Sequence, residues 1–323
     1  MTAGTKSDFV IYQEEFFGGM TETLMQNTDA FNGASRNAVR MVPARKKGDY
    51  EKESFVKEVA GLISRRDITS VEDAEDLKLE QDEFIAVKLN RKIGPVTQSR
   101  DAFKKISADP STFSFILGQQ WGVAVLVDYL NSAIRALAAA LSGVATNSLT
   151  AYAGATLVHT HLAESLAKMG DSSRNVVCWV MHSKPYHDLV KQSITDKITN
   201  VADVTIQQGT AATLGRPAIV VDSPALIISS SPYTYITLGL VADAAVVEES
   251  ESRDILSQDI TGKENILMRI QGEYAFNLKL KGFAWDTSTG GVNPTDASVA
   301  TSGNWDSVVN DPKALGGVYL VTL

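Results

Sequence analysis

Residue types that do chemistry are sparse in this chain and poorly spaced for it. There are four histidines, His159, His161, His182 and His187. His159 and His161 stand two apart, so a helix would point them to different faces and a strand to one face. A zinc-type centre needs three or four ligands, and no histidine or carboxylate stands near this pair at a metal-binding spacing. Ser183, His187 and Asp188 are the residue types of a hydrolase triad, but adjacency in sequence is not triad geometry. Ser183 reads instead as a helix cap, with Pro185 in the first turn behind it. Cys178, the one cysteine, sits in the apolar run 175–182 (NVVCWVMH) and reads as a buried, inert thiol. The acidic run Glu248, Glu249, Glu251 and Asp254 reads as a solvated loop, and the carboxylates of 72–83 have no apolar pocket to raise a pKa. The loop from Gly209 to Gly215 lacks the lysine of a phosphate cradle. A P-loop, a G-x-S-x-G elbow, an H-E-x-x-H pair and a dinucleotide fingerprint are all absent. We therefore expect no catalytic, cofactor-binding or metal-binding residues, no cofactor and no enzymatic activity.

The elements that would hold such residues belong to an ordinary globular chain. Its 323 residues are 44% apolar and 21% charged, enough for about two domains with a sizeable core. Thirty basic residues against 38 acidic ones give −8 and a pI near 5.1. That balance argues against a surface built wholly to coat a phosphate backbone. A single cysteine excludes an intrachain disulfide and fits a reducing compartment. The first residues show no signal-peptide pattern. The most apolar region, 123–145, is broken by Asp128, Asn131 and Arg135, so no membrane partner is expected.

Charge is unevenly placed. Residues 36–105 hold 16 basic and 13 acidic residues, whereas 1–35 sum to −4 and 106–323 to −7. Residues 40–83 are polar, charged and unable to form a core. They read as a long two-stranded excursion with a charged tip, rising from strand-like pieces at 37–42 and 84–93. Asp109-Pro110-Ser111 then opens a helix of about 32 residues, or about 48 Å. Its apolar stripe is Ile116, Val123, Leu126, Leu130, Ile134, Leu137 and Leu141, and Gly143 ends it. An α/β stretch follows. It comprises a helix with Leu157, Leu162, Leu166 and Met169, the strand at 175–182, the Ser183 helix, and strands at 203–207, 218–221 and 233–247. From Ile266 to Leu280 apolar residues alternate with polar ones, predicting a long strand with one face on a core. The parity switch after Gly282 predicts a bulge. Residues 318–323 predict a closing strand.

Several stretches, in this order, resemble the major capsid proteins of tailed bacteriophages with the Hong Kong 97-type fold. They are WGVAVLVDYLNSAIRALAAALSG at 121–143, VVCWVMHSKPYHDLVKQ at 176–192, TLGRPAIVVDSPAL at 213–226, GEYAFNLKLKGFAWD at 272–286 and TSGNWDSVV at 301–309. The resemblance runs from about residue 110 to the end. It implies an α+β fold with an N-terminal arm (1–35), an extended loop (36–97), a peripheral domain (98–150 and 263–323, with a spine helix at about 110–143) and an axial domain (151–262). It implies a shell subunit, forming hexamers and pentamers around double-stranded DNA in a virion assembled in the host cytoplasm. The implied partners are further copies of the chain, a separate scaffolding protein and a portal, with a decoration protein left open. Contact with the packaged DNA would be weak and non-specific. A cellular nanocompartment shell and a soluble α/β enzyme without a short motif are the competing readings. The slightly basic excursion and the acidic remainder add one expectation about residues: Lys46, Lys47, Arg65 and Arg66 should meet acidic surface on a neighbouring copy.

Overall fold

The computed structural model describes residues 6–42, 48–57, 62–63, 65–66, 68–69, 73, 76–99, 110–150, 155–199, 213–230 and 232–323. The expected strand at 203–207, the glycine-bounded loop at 209–212 and the proposed cap Asp109 lie outside them.

Most of the segment expected as the N-terminal arm is a helix: α1 spans Lys6–Ala34. Beyond it come β1 (Val39–Val42), β2 (Tyr50–Val56) and β3 (Gln81–Ser99). The long helix is α2, Pro110–Ser142, 33 residues. Two helices cross closely where side chains are missing. A Cβ on Gly19 of α1 would stand 2.6 Å from the Phe115 carbonyl oxygen, and one on Gly122 of α2 would stand 3.1 Å from that of Met20. Met20 and Leu24 of α1 are buried, as are Trp121 and Val125 of α2.

Only part of the expected α2 stripe is buried. Ile134, Leu137 and Leu141 are fully covered, whereas Ile116 and Val123 are about half exposed, at 47% and 48%. The first half of α2 stands clear of the sheets and is covered mainly on its α1 side. The second half enters the core, where Ala133, Ala136, Ala138, Ala139 and Ala140 allow close approach on several sides. By length and composition Phe115–Ser142 could cross a bilayer, contrary to the reading from sequence; more than half of its most apolar stretch is buried inside the protein, as in a core helix.

The rest of the chain supplies β4 (Ser148–Thr150), α3 (His159–Ala167), β5 (Val176–Met181), α4 (Ser183–Thr199), β6 (Ala218–Val220) and β7 (Ile227–Ser230). These are followed by β8 (Tyr233–Val241), β9 (Ala245–Ile260), β10 (Leu267–Leu280), β11 (Phe283–Trp285), the short α5 (Asp296–Val299), β12 (Trp305–Ser307) and β13 (Gly317–Thr322).

Two sheets result. In the first, β1 runs parallel to β9, β9 pairs antiparallel with β10, and β10 carries β3 and then β11 on its other edge. Among the described residues β2 pairs with β3 alone, and β12 with β11. In the second, the order is β4-β13-β8-β5-β6, with β7 added along β8. The alternating run did form a long strand, β10. Gly282, however, lies in a two-residue turn at φ +82, with Leu280 opposite Phe283, instead of a bulge. The piece at 37–42 is not the root of the excursion: β1 pairs with β9, and β2 is the partner of β3. Sheet membership also departs from the expected boundary at 263. β9 lies in the first sheet with β10, and the C-terminal strand β13 lies in the second.

One core joins both sheets and α2. Trp179, Trp285, Phe276 and Phe283 are its largest fully buried side chains, each worth about 1.5–3 kcal/mol of burial. Trp285 and Trp305 meet edge to face at 4.9 Å. The Leu214-Gly215-Arg216-Pro217 turn places Leu214 and Gly215 at positive φ. Arg216 fastens it by donating to the carbonyls of Val176 (2.7 Å) and Ser173 (3.0 Å).

Candidate inter-subunit surface

The triad-like residues do not converge. Ser183 Oγ lies 3.4 Å from His182 Nδ1, and Asp188 pairs with Lys184 one helical turn away. Ser183 is the first residue of α4 and not its cap. Its N–H donates to Asp222 (3.1 Å), and the Lys184 N–H donates to His182 Nδ1 (3.3 Å), so His182 and Asp222 do the capping. Hydrogen bonding from the Ser183 hydroxyl, with that from its N–H, holds the Asp222 carboxyl below its usual range. His159 lies beside Ser193, and no group of three or more potential metal ligands is gathered among the described residues. Cys178 is fully buried, and burial pushes its thiol up to about 11.

The acidic run is not a loop. Glu248, Glu249, Glu251 and Asp254 lie along β9. Lys88 of β3 reaches Glu251 at 2.5 Å, Arg253 reaches Glu249 at 3.0 Å, and Lys279 of β10 lies 3.4 Å from Glu248. Arg253 is on β9 itself, but Lys88 and Lys279 come from other strands, which is why the run looks solvated when read alone.

The excursion is a ribbon of β2 and the first part of β3, in register from Tyr50↔Val87 to Val56↔Gln81. Phe55 stacks on Phe84 at 4.2 Å. Lys52–Glu83 (3.0 Å) and Lys57–Asp82 (2.9 Å) pair across it. The hydrogen bond from Lys57 draws the Asp82 carboxyl down and the Lys57 ammonium up from their ordinary values.

Of the four basic residues expected to touch a neighbour, Arg65 and Arg66 are exposed on the connection beyond this ribbon, and Lys46 and Lys47 lie outside the described residues. Sequence reasoning missed their surroundings. Leu62, Ile63, Ile68, Leu77 and Leu79 are all exposed there, Ile63 at 96%. Exposed aliphatics this close together in sequence are unlike the singly scattered ones of an ordinary surface. The signal was present, in the pair Leu62-Ile63 set directly before two arginines.

Beyond the ribbon, Arg91 anchors β3 to the body. It donates to Asp128 (3.2 Å) and Ser132 (3.1 Å) of α2 and to Asp296 (2.7 Å) of α5. Arg135 holds the other Asp296 oxygen at 2.8 Å, and the Tyr274 hydroxyl donates to Asp128 at 2.6 Å. Burial opposes charge on Arg91 and Asp296. On Arg91 the charges of Asp128 and Asp296 together outweigh it, and on Asp296 those of Arg91 and Arg135 do, so the Arg91 pKa is raised and that of Asp296 lowered. Ile116, Val123 and Val127 form a second uncovered apolar stripe, on α2.

The comparisons accord with this architecture. The family model described as Major capsid protein 13-like matches residues 8–319. No curated protein matches the chain. Among solved structures, the chain is similar to one titled as the capsid asymmetric unit of cyanophage Pam1. The identity is 9% and the TM-score 0.52, with 88% of this chain and 87% of that one covered. It is similar to a chain of Mycobacterium phage Adephagia, at 9% identity and TM-score 0.51, covering 90% and 89%. It is also similar to one from the head structure of Helicobacter pylori bacteriophage KHP40, at 11% identity and TM-score 0.50, covering 89% and 88%. At these identities the likeness is one of fold.

Proposed function

Because the chain belongs to the major capsid protein 13-like family, we propose that its copies build an icosahedral phage head as hexamers and pentamers around double-stranded DNA. The fold is the Hong Kong 97-like capsid fold, and the protein is a structural subunit of a phage head, resident in the virion capsid. The family match over residues 8–319 is the observation that carries this reading. The role is architectural and not catalytic. Assembly takes place in the host cytoplasm with a separate scaffolding protein and a portal, and contact with DNA is weak and non-specific, in keeping with the net charge of −8.

Within the subunit, α1 serves as the arm and the β2–β3 ribbon as the extended loop. The peripheral domain is built on α2 and the first sheet, and the axial domain on the second. This division supports moving β9 to the peripheral domain and β13 to the axial one. The ribbon tip is the inter-subunit contact: its exposed aliphatics supply area, and Arg65 and Arg66 supply register against acidic surface on the next copy. Many such contacts act together in a shell, so each need only be weak.

Electron microscopy of the purified chain, alone and co-expressed with neighbouring phage gene products, tests the reading. Closed particles or hexameric rings are expected. Small compact oligomers under both conditions would overturn it.

A further inference from the structure

We infer that Lys279 is the pin that fixes the angle at which the β2–β3 ribbon leaves the body. The ladder explains why a pin is needed. β3 is bonded to β10 from Ser99↔Leu267 to Val87↔Leu278, and there that pairing ends. The β2 pairing begins at the same residue, Tyr50↔Val87, and runs outward to Val56↔Gln81. Beyond Val87 the edge of β10 passes to β11, and the ribbon's ladder bonds are its own. The two-stranded lever therefore shares only one strand with the body's ladder; Tyr50 and Ile85 pack against the core at its root, and beyond them its angle depends on the groups that bridge the joint.

Lys279 is the next residue of β10 after the last ladder pair. Its ammonium reaches Glu51 of β2 at 2.8 Å and Glu53 of β2 at 3.3 Å, and lies 3.4 Å from Glu248 of β9. Glu51 and Glu53 are two apart on one strand and so share a face. Ala86, opposite Glu51, leaves the room for a lysine to cross β3. The side chains of Lys279, Glu51 and Glu248 are 23%, 11% and 14% exposed, so salt screens their interaction less than it would at an open surface. Three carboxylates drawn from ribbon and body converge on one cation. With the ammonium present, Glu51 and Glu53 are drawn toward the body. Without it, they face Glu248 as like charges. Removing a single charge thus reverses the sign of the force across the joint.

A distance measurement across the joint tests this in the unassembled full chain. Val56, at the outer end of the ribbon, and Ser307, on β12, are both exposed. Cys178 is fully buried, so V56C and S307C would take spin labels selectively. The parent should give one narrow label-to-label distance. K279Q should broaden that distribution and move it to longer distance, and K279R should restore it. E51Q/E53Q, which keeps Lys279 and removes the attraction from the ribbon side, should also broaden it and guards against misfolding of K279Q. An unchanged distribution in folded K279Q, or in E51Q/E53Q, would overturn the inference. Neither outcome depends on whether shells form.

Discussion

Arg91 joins three elements with one guanidinium, and its loss should be felt as a loss of stability. Arg91→Met leaves Asp128 without a charged donor and half of the Asp296 pairing gone. We expect a destabilisation of about 2 kcal/mol, read from urea unfolding of the unassembled chain. Asp296 gives the pH dependence. Its folded pKa is lowered, so its contribution is complete above the unfolded carboxylate value of about 4 and is lost as pH falls through the folded value. Asp296→Asn should therefore be less stable than the parent at pH 7 and show a shallower loss of stability below about pH 4. Replacing Lys46, Lys47, Arg65 and Arg66 by glutamate should impair the formation of shells seen by electron microscopy while circular dichroism stays that of a folded chain. Normal shells would sink the proposed contact. At this scale the sequence showed that Ser183, His187 and Asp188 are residue types without triad geometry, and the structure pairs Asp188 with Lys184 instead. Of the four basic residues proposed to meet a neighbour, Arg65 and Arg66 are exposed beyond the ribbon. Sequence reasoning missed the Lys279 and Arg91 clusters because each draws partners more than a hundred residues apart, and no local spacing marks them.

Elements whose periodicity comes from one buried face were the most legible. The alternation at 266–280 and the helical run from 110 each gave their element to within a residue or two. α1 was not legible as a helix. Gly18 and Gly19 weaken its middle, and it is held by its crossing with α2 instead of by propensity. The strand β1 was found, but its partner was not, since four residues carry no information about which distant edge they will join. The crossing makes its own prediction. Gly19→Val forces a side chain against the Phe115 carbonyl and should cost about 1–3 kcal/mol as α1 is pushed off α2. Limited proteolysis should then cut within α1 faster than in the parent. Equal rates would show that the two helices can part without penalty.

At the scale of the molecule, the two sheets are laced together by the chain. β9, β10 and β11 build the first sheet between β8 and β13 of the second, and β13 lies inside that second sheet between β4 and β8. Ending the chain at Gly316 would delete that inner strand, with its buried Val318, Tyr319 and Leu320, and leave β4 and β8 without the partner between them. We expect such a truncation to lack a cooperative thermal transition; a sharp one would show that the sheets are separable. The lacing also sets a timetable. Val39 pairs with Ala245, so β1 finds its partner only after about 200 more residues have been made, some 10–40 s at ordinary translation speeds. Throughout that interval β3 has no β10 to lie against, and for most of it Leu62, Ile63 and Ile68 are outside the ribosome. The nascent subunit is therefore longest at risk in the segment that the finished shell would need most exposed, and its dependence on chaperones during synthesis should track the rate of elongation.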